Sequence, residues 1–185
     1  MNTHIASWRL RAMGILRIIF GLVYAIDAYF KWQPAFGNNL TQYLTGNLDG
    51  QSGFVQVWIH LWINIAKVNP HVFASLVALG ETAIAIGLIF GIFSNLISVV
   101  GVFFALIIWT TAEGFGGPYT AGATDIGTAI IYVLVFVGLF LSSAGLYYGV
   151  DRYLSPKLGR FSFLATGSPV KALPTSGVAP EVMKA

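Results

Sequence analysis

Arg17, Gly21, Tyr24, Asp27 and Lys31 follow one another at intervals of four, three, three and four residues. On a helix these intervals put all five on one face. Asp27 and Lys31 then form an i,i+4 pair of opposite charge. Such a pair, set in an apolar run, can hold a proton or orient a polar ligand. The plainer reading is an interfacial ion pair that only fixes helix tilt. Arg17 reads as an anchor whose long side chain reaches back to the inner interface. Glu81 stands alone in a second apolar run. A carboxyl there is expensive to keep charged unless a cation meets it, and it can carry a proton or bond a ligand carbonyl. Against that, Ala74, Ala78 and Ala85 share its face and would let a neighbouring helix pack closely on a purely structural Glu81.

A second set lies further along. Trp109 and Glu113 are i,i+4, and Asp125, Thr128 and Tyr132 follow at i, i+3 and i+7. Between them runs GFGGPYTAG, from Gly114 to Gly122, glycine-rich enough to bend over a site as a lid. Each of these residues alone also fits a flexible connector, with Asp125 as the acid at the start of the next helix. Convergence of Asp27, Lys31, Glu113, Asp125 and Tyr132 at one depth is the functional alternative.

The elements that must position these residues are membrane spans. Of 185 residues, 56% are hydrophobic and 9% charged, and the mean hydropathy is +0.75. Soluble domains carry about 25% charged residues. Four runs approach the roughly 20 apolar residues a span needs: residues 12–30, 71–93, 96–112 and 125–147. The expected fold is an all-α four-transmembrane-helix bundle over residues 1–154. An amphipathic stretch at 54–67, about 21 Å long as helix, is too short to span. It places Gln56, His60, Asn64 and Lys67 on one face, and reads as an interfacial helix in the first outer loop. The first run is too long for a signal h-region and reads as a retained helix. Residues 155–185, polar and carrying four prolines, are expected to form a mostly disordered tail.

Orientation follows from Lys and Arg. Eight of the ten flank the first and last spans on the side of the termini; only Lys31 and Lys67 flank the long first loop. Both termini are therefore expected in the cytoplasm of a multi-pass cell-membrane protein. With no cysteine, disulfides and iron–sulfur ligation within the chain are excluded. The three histidines, His4, His60 and His71, give no midplane pair for haem. No flavin or metal motif is visible, and no basic stripe supports nucleic-acid binding.

Three runs together look familiar: RIIFGLVYAIDAYFKW from Arg17 to Trp32, GETAIAIGLIFG from Gly80 to Gly91, and GFGGPYTAGATDIGTAIIY from Gly114 to Tyr132. Over about residues 10–150 the chain resembles the DoxX/DoxD superfamily of four-helix membrane proteins. Within it the likeness is to the DoxD type, the large membrane subunit of thiosulfate:quinone oxidoreductase. That resemblance implies oxidation of thiosulfate to tetrathionate on the outer side and reduction of a membrane quinone, held non-covalently. On this reading Asp27, Lys31, Glu81 and Asp125 are the catalytic candidates. Lys31, His60, Tyr119 and Glu113 are the candidates for binding the sulfur substrate, with Lys67 as a further cation. Tyr24, Trp32, Trp109 and Tyr132 would wall the quinone. The implied partners are membrane lipid, quinone, thiosulfate and a separate small DoxA-type subunit, since the tail is too short to be that subunit fused. Association with further copies of the chain is left open. The alternative is a non-catalytic DoxX-type scaffold or assembly subunit of another redox complex. A small proton-coupled transporter is a third reading, weakened by the absence of a visible inverted repeat.

Overall fold

The computed structural model describes residues 3–166. Helix α1, Thr3–Lys31, is continuous through the whole first apolar run. It stops before Gln33, whose extended backbone is what a following proline favours. Pro34 then opens α2, Pro34–Thr45, as its first residue. This helix was not expected. Its sequence is rich in Gly, Asn and Thr, and only Leu40 and Leu44 are buried.

Helix α3, Gly53–Val68, takes the place of the interfacial stretch. Ile59, Ile63 and Ala66 face the protein, while Phe54, Val57, Leu61, Ile65 and Val68 are exposed. The helix is thus apolar on two sides, with His60, Asn64 and Lys67 exposed between them. Asn69 caps the next helix by accepting from the Val72 N–H at 3.1 Å. That helix is α4, Pro70–Phe90. It ends at Gly91 in the left-handed conformation (φ 62°), and the Gly91 N–H returns to the Gly87 carbonyl. After a short turn comes α5, Ser94–Thr111.

Among the described residues, three helical segments are long and apolar enough to cross a membrane: Trp8–Lys31, Pro70–Phe90 and Ser94–Thr111. The fourth expected span is shorter than residues 125–147. Helix α6 covers Ala129–Leu141, 13 apolar residues or roughly 20 Å of rise. Residues 125–128 are held in a turn instead, and Ser143, with φ of +52°, breaks the chain at the far end. Residues 155–166, expected to open the disordered tail, are folded. Helix α7, Asp151–Leu154, is followed by 3₁₀ turns at Ser155–Lys157 and Gly159–Leu164. The Asn95 amide donates to the Phe163 and Ala165 carbonyls at 3.1 and 3.0 Å, which ties this segment to the inner end of α5. The remainder of the expected tail, 167–185, lies outside the described residues.

Helix α1 packs along α4, and α5 along α6. Gly21 lets α1 approach closely: a Cβ there would lie 2.9 Å from the Ile89 nitrogen. One core joins Phe20, Tyr24, Ile84, Leu88 and Phe136 between these pairs. A second core, with Leu40, Leu44, Ile59, Ile63 and Ala74, seats α2 and α3 on the end of the bundle away from the described termini, the end expected to lie outside.

Candidate functional site

The outer polar group is built where α1 meets α4. The Lys31 ammonium lies 3.7 Å from Glu81 Oε1; the Lys31 side chain is 27% exposed and that of Glu81 3%. This is ion-pair range and too long for a hydrogen bond. The second oxygen, Oε2, is buried with no partner among the described residues. Asp27 is half-buried one turn before Lys31. Its carboxylate lies near the Tyr132 hydroxyl and near both Glu81 and Tyr24. Tyr24 is buried, and its hydroxyl also lacks a partner. Its ring and that of Tyr132 sit 5.6 Å apart beside Phe20 and Phe136. The structure therefore gathers Tyr24, Asp27, Lys31, Glu81 and Tyr132 from three helices. The expected cation for Glu81 is Lys31, one turn past the residue it was paired with in sequence.

Next to this group is a cavity of about 780 Å³ beneath α2 and α3. Its walls are mostly apolar and aromatic, including Phe36, Trp62, Phe73 and Phe104. Lys31 and Glu113 are its charged lining residues. The expected aromatic wall differs from the observed one. None of Tyr24, Trp32, Trp109 or Tyr132 lines the cavity. Tyr24 and Tyr132 are core packing instead, and Trp32 is half-exposed, with its indole N–H given to Thr82 Oγ1 at 3.0 Å. The aromatic residues that do line it come from α2 and α3 as well as the spans. Phe36 belongs to the helix that sequence patterning missed, and its ring lies 5.3 Å below the Lys31 ammonium.

The loop residues have other work. Glu113 accepts from the Thr128 N–H at 3.2 Å and the Ala129 N–H at 3.0 Å, so it caps the start of α6 from the preceding helix. Asp125, expected to be that cap or a catalytic acid, is exposed and accepts from the Gly127 N–H at 2.9 Å in a local turn. Trp109 donates to the Ile126 carbonyl at 2.8 Å and packs edge-to-face on Phe115. Tyr119 is exposed, and its hydroxyl donates to the Phe115 carbonyl at 2.6 Å. His60 is exposed on α3. Asp125, Tyr119 and His60 are not among the residues lining the cavity.

A second polar group, at the inner end, was not foreseen. Arg17 is fully buried rather than reaching for the interface. Its guanidinium donates to the carbonyls of Ala144 (3.3 Å), Tyr148 (3.0 Å) and Leu88, with longer contacts to Ile89 and Tyr147. These carbonyls belong to the end of α4 and to the turns after α6, where helical bonding leaves acceptors unmet. Asp151, also fully buried, accepts from the N–H groups of Phe93 and Ser94, both at 2.7 Å, and of Thr166 at 3.1 Å. Its sequence signal was a single acid opening a segment that otherwise carries Arg152, Lys157 and Arg160.

Among the described residues no three His, Asp or Glu side chains are grouped to hold a metal ion. The fold and site define a multi-pass, all-helical membrane protein with a polar group at each end of its bundle. The family comparison refines this: residues 12–114 match the DoxX family, and the chain belongs to it. The match runs from Ala12, within α1, through α5 and stops at Gly114, the first residue of the glycine-rich loop, short of α6. No curated protein and no solved structure matches the chain.

Proposed function

We propose that this DoxX protein is the membrane subunit of a thiosulfate:quinone oxidoreductase, with the quinone ring in the cavity under α2 and α3. The observation that carries the reading is that cavity. It is apolar, large enough for a ring and part of its chain, and it touches the Lys31 of a loosely closed ion pair. Bound quinone takes up two electrons and two protons. Two thiosulfates supply the electrons as their outer sulfurs join in tetrathionate. Lys31 donates to a ring carbonyl and stabilises charge that develops there. Asp27 and Glu81 hold and deliver protons. Tyr132 lies beside Asp27. Asp125 keeps the loop turn and is not part of the relay.

The dianion does not belong in the cavity on this reading. Glu113 lines the cavity together with Lys31, and Asp27 and Glu81 lie next to that cation, so a doubly negative ligand would be repelled. A separate small DoxA-type subunit is proposed to present thiosulfate over α2 and α3, near the exposed His60 and Lys67. Helix α6 with its flanking turns is proposed as a fourth span, with both termini cytoplasmic in line with the Lys and Arg distribution.

The test is thiosulfate-dependent quinone reduction by purified protein, with and without candidate small subunits. Lys31→Ala and Asp27→Asn are expected to lower the rate by about 10²-fold or more while the protein still elutes as a folded species. Wild-type rates in both variants would sink the catalytic reading. The alternative is a non-catalytic scaffold. It draws support from Arg17, Glu113 and Asp151, all of which are engaged in holding backbone ends.

A further inference from the structure

The chain that follows α6 is held in place at several points. The N–H groups of Val150 and Asp151 donate to the Phe90 and Gly91 carbonyls at 3.0 and 2.9 Å. The Asp151 carboxylate accepts from the start of α5, and the Asn95 amide donates to Phe163 and Ala165. Residues 151–166 are thus fastened to the end of α4 and the start of α5. Both helices are long enough to span a bilayer, so the level at which one ends and the other begins is a bilayer boundary.

At that boundary the segment exposes Arg152, Lys157 and Arg160. It also exposes three rings: Tyr153 at 69%, Phe161 at 47% and Phe163 at 65%. Bases and rings are interleaved. The Arg160 guanidinium lies 4.9 Å from the Phe161 ring centre, and that of Arg152 lies 5.9 Å from Tyr153. Nothing offsets the charge. Asp151 is the only acid between residues 126 and 166, and it is fully buried. No acid occurs in residues 3–26 or 82–112, while Arg9 and Arg11 are exposed on α1. Bases alone would suit any polyanion, but a soluble one offers nothing to three exposed rings. A lipid surface offers negative headgroups to the bases and an apolar layer just beneath to the rings.

We propose that the segment Asp151–Leu164 is a membrane-surface element that recruits anionic phospholipids, its bases meeting the headgroups and its rings entering the layer below them. The inference is independent of the quinone reading of the cavity. Zwitterionic lipids present the same phosphates with a compensating choline, so the element prefers lipids of net negative charge. Arg152, Lys157 and Arg160 are exposed, so their replacement by glutamine is expected to leave the bundle folded.

The experiment titrates the full-length protein in detergent with phosphatidylglycerol and with phosphatidylcholine of the same acyl chains, and counts bound lipids by native mass spectrometry. The wild type is expected to bind phosphatidylglycerol at least about fivefold more tightly, the effect of roughly one well-placed base. Combining Arg152→Gln, Lys157→Gln and Arg160→Gln should bring the ratio below about twofold, whereas Arg9→Gln with Arg11→Gln should largely preserve it. Raising salt should lower the wild-type ratio, a check that needs no variant. Equal binding of the two lipids by the wild type would overturn the proposal, as would an unchanged ratio in the triple variant. A loss in the Arg9 and Arg11 variant as large as in the triple variant would spread the preference over the whole end and overturn its assignment to this segment. Displacement of bound phosphatidylglycerol by excess glycerol 3-phosphate would make this a site for a free phosphate ester and overturn the lipid assignment.

Discussion

The two ends of the bundle each bring together an acid and a base, and they use them in opposite ways. At the inner end Arg17 and Asp151 turn nearly all of their capacity onto backbone, bonding the end of α4, the start of α5 and the turns after α6. At the outer end Lys31 and Glu81 meet at 3.7 Å, and one Glu81 oxygen and the Tyr24 hydroxyl are left without partners. The large cavity adjoins the outer pair. The hydroxyls of Ser94, Ser155 and Thr166 at the inner end also lack partners among the described residues, so the difference lies in the charged groups and in the adjoining cavity. Arg17 and Asp151 are spent on backbone and clasp the bundle, whereas Lys31 and Glu81 are left free to act at the cavity, its working end.

The sharpest way to break this contrast is at Arg17. Arg17→Met removes five donors from buried carbonyls and leaves Asp151 without its nearby cation. Each buried carbonyl left without its donor costs about 1–3 kcal/mol, so the variant is expected to unfold or aggregate on extraction. Arg17→Lys, which keeps charge but lacks the planar fork, should fall between. Thermal unfolding in detergent, followed by tryptophan emission, gives the order. Lys31→Ala should shift the midpoint far less, because Lys31 is partly exposed and bonds no backbone among the described residues. Similar losses at the two ends would erase the distinction between clasp and working end.

Glu113→Ala is expected to act at intermediate strength. It strips the start of α6 of the carboxylate that caps Thr128 and Ala129, a loss of about 1–2 kcal/mol by the behaviour of helix caps. The effect should be local. Amide exchange at Ala129, Ile130 and Ile131 should accelerate, with α4 and the turns around Asp151 unchanged. Uniform acceleration across the bundle would mean that the loop end and the inner clasp are one cooperative unit.

What the sequence made legible tracks how local each cause is. The spans at α1, α4 and α5 are long apolar runs, and their ends carry their own signals in Asn69-Pro70 and Gly91. The face of α1 that carries Tyr24, Asp27 and Lys31 follows from helical spacing alone. Helix α2 escaped because two leucines and a phenylalanine in a polar background make a weak pattern, and its stability comes from seating on α3 and α4. Arg17 and Asp151 could not be matched from the sequence, since apart from the Thr166 N–H, 15 residues on, the carbonyls and amides they serve come from segments 57 to 131 residues away. The cap of α6 was assigned to the nearer acid, Asp125. Folding brings Glu113 onto it across a 15-residue loop.

That reassignment yields the smallest and most discriminating prediction. Asp125 is exposed, and its hydrogen bond spans only two residues, to the Gly127 N–H. Asp125→Ala should cost no more than about 0.5 kcal/mol, as exposed positions away from special features usually do. If the relay consists of Asp27 and Glu81, quinone reduction in this variant should stay within about twofold of wild type, against the 10²-fold losses expected of a proton-donating acid. A large loss of rate with an unchanged unfolding midpoint would return Asp125 to the chemistry. It would then require the glycine-rich loop to carry that carboxylate inward when the ligand binds, and Gly116, whose backbone sits at φ +75° against Ile126, would be the position at which to block the movement.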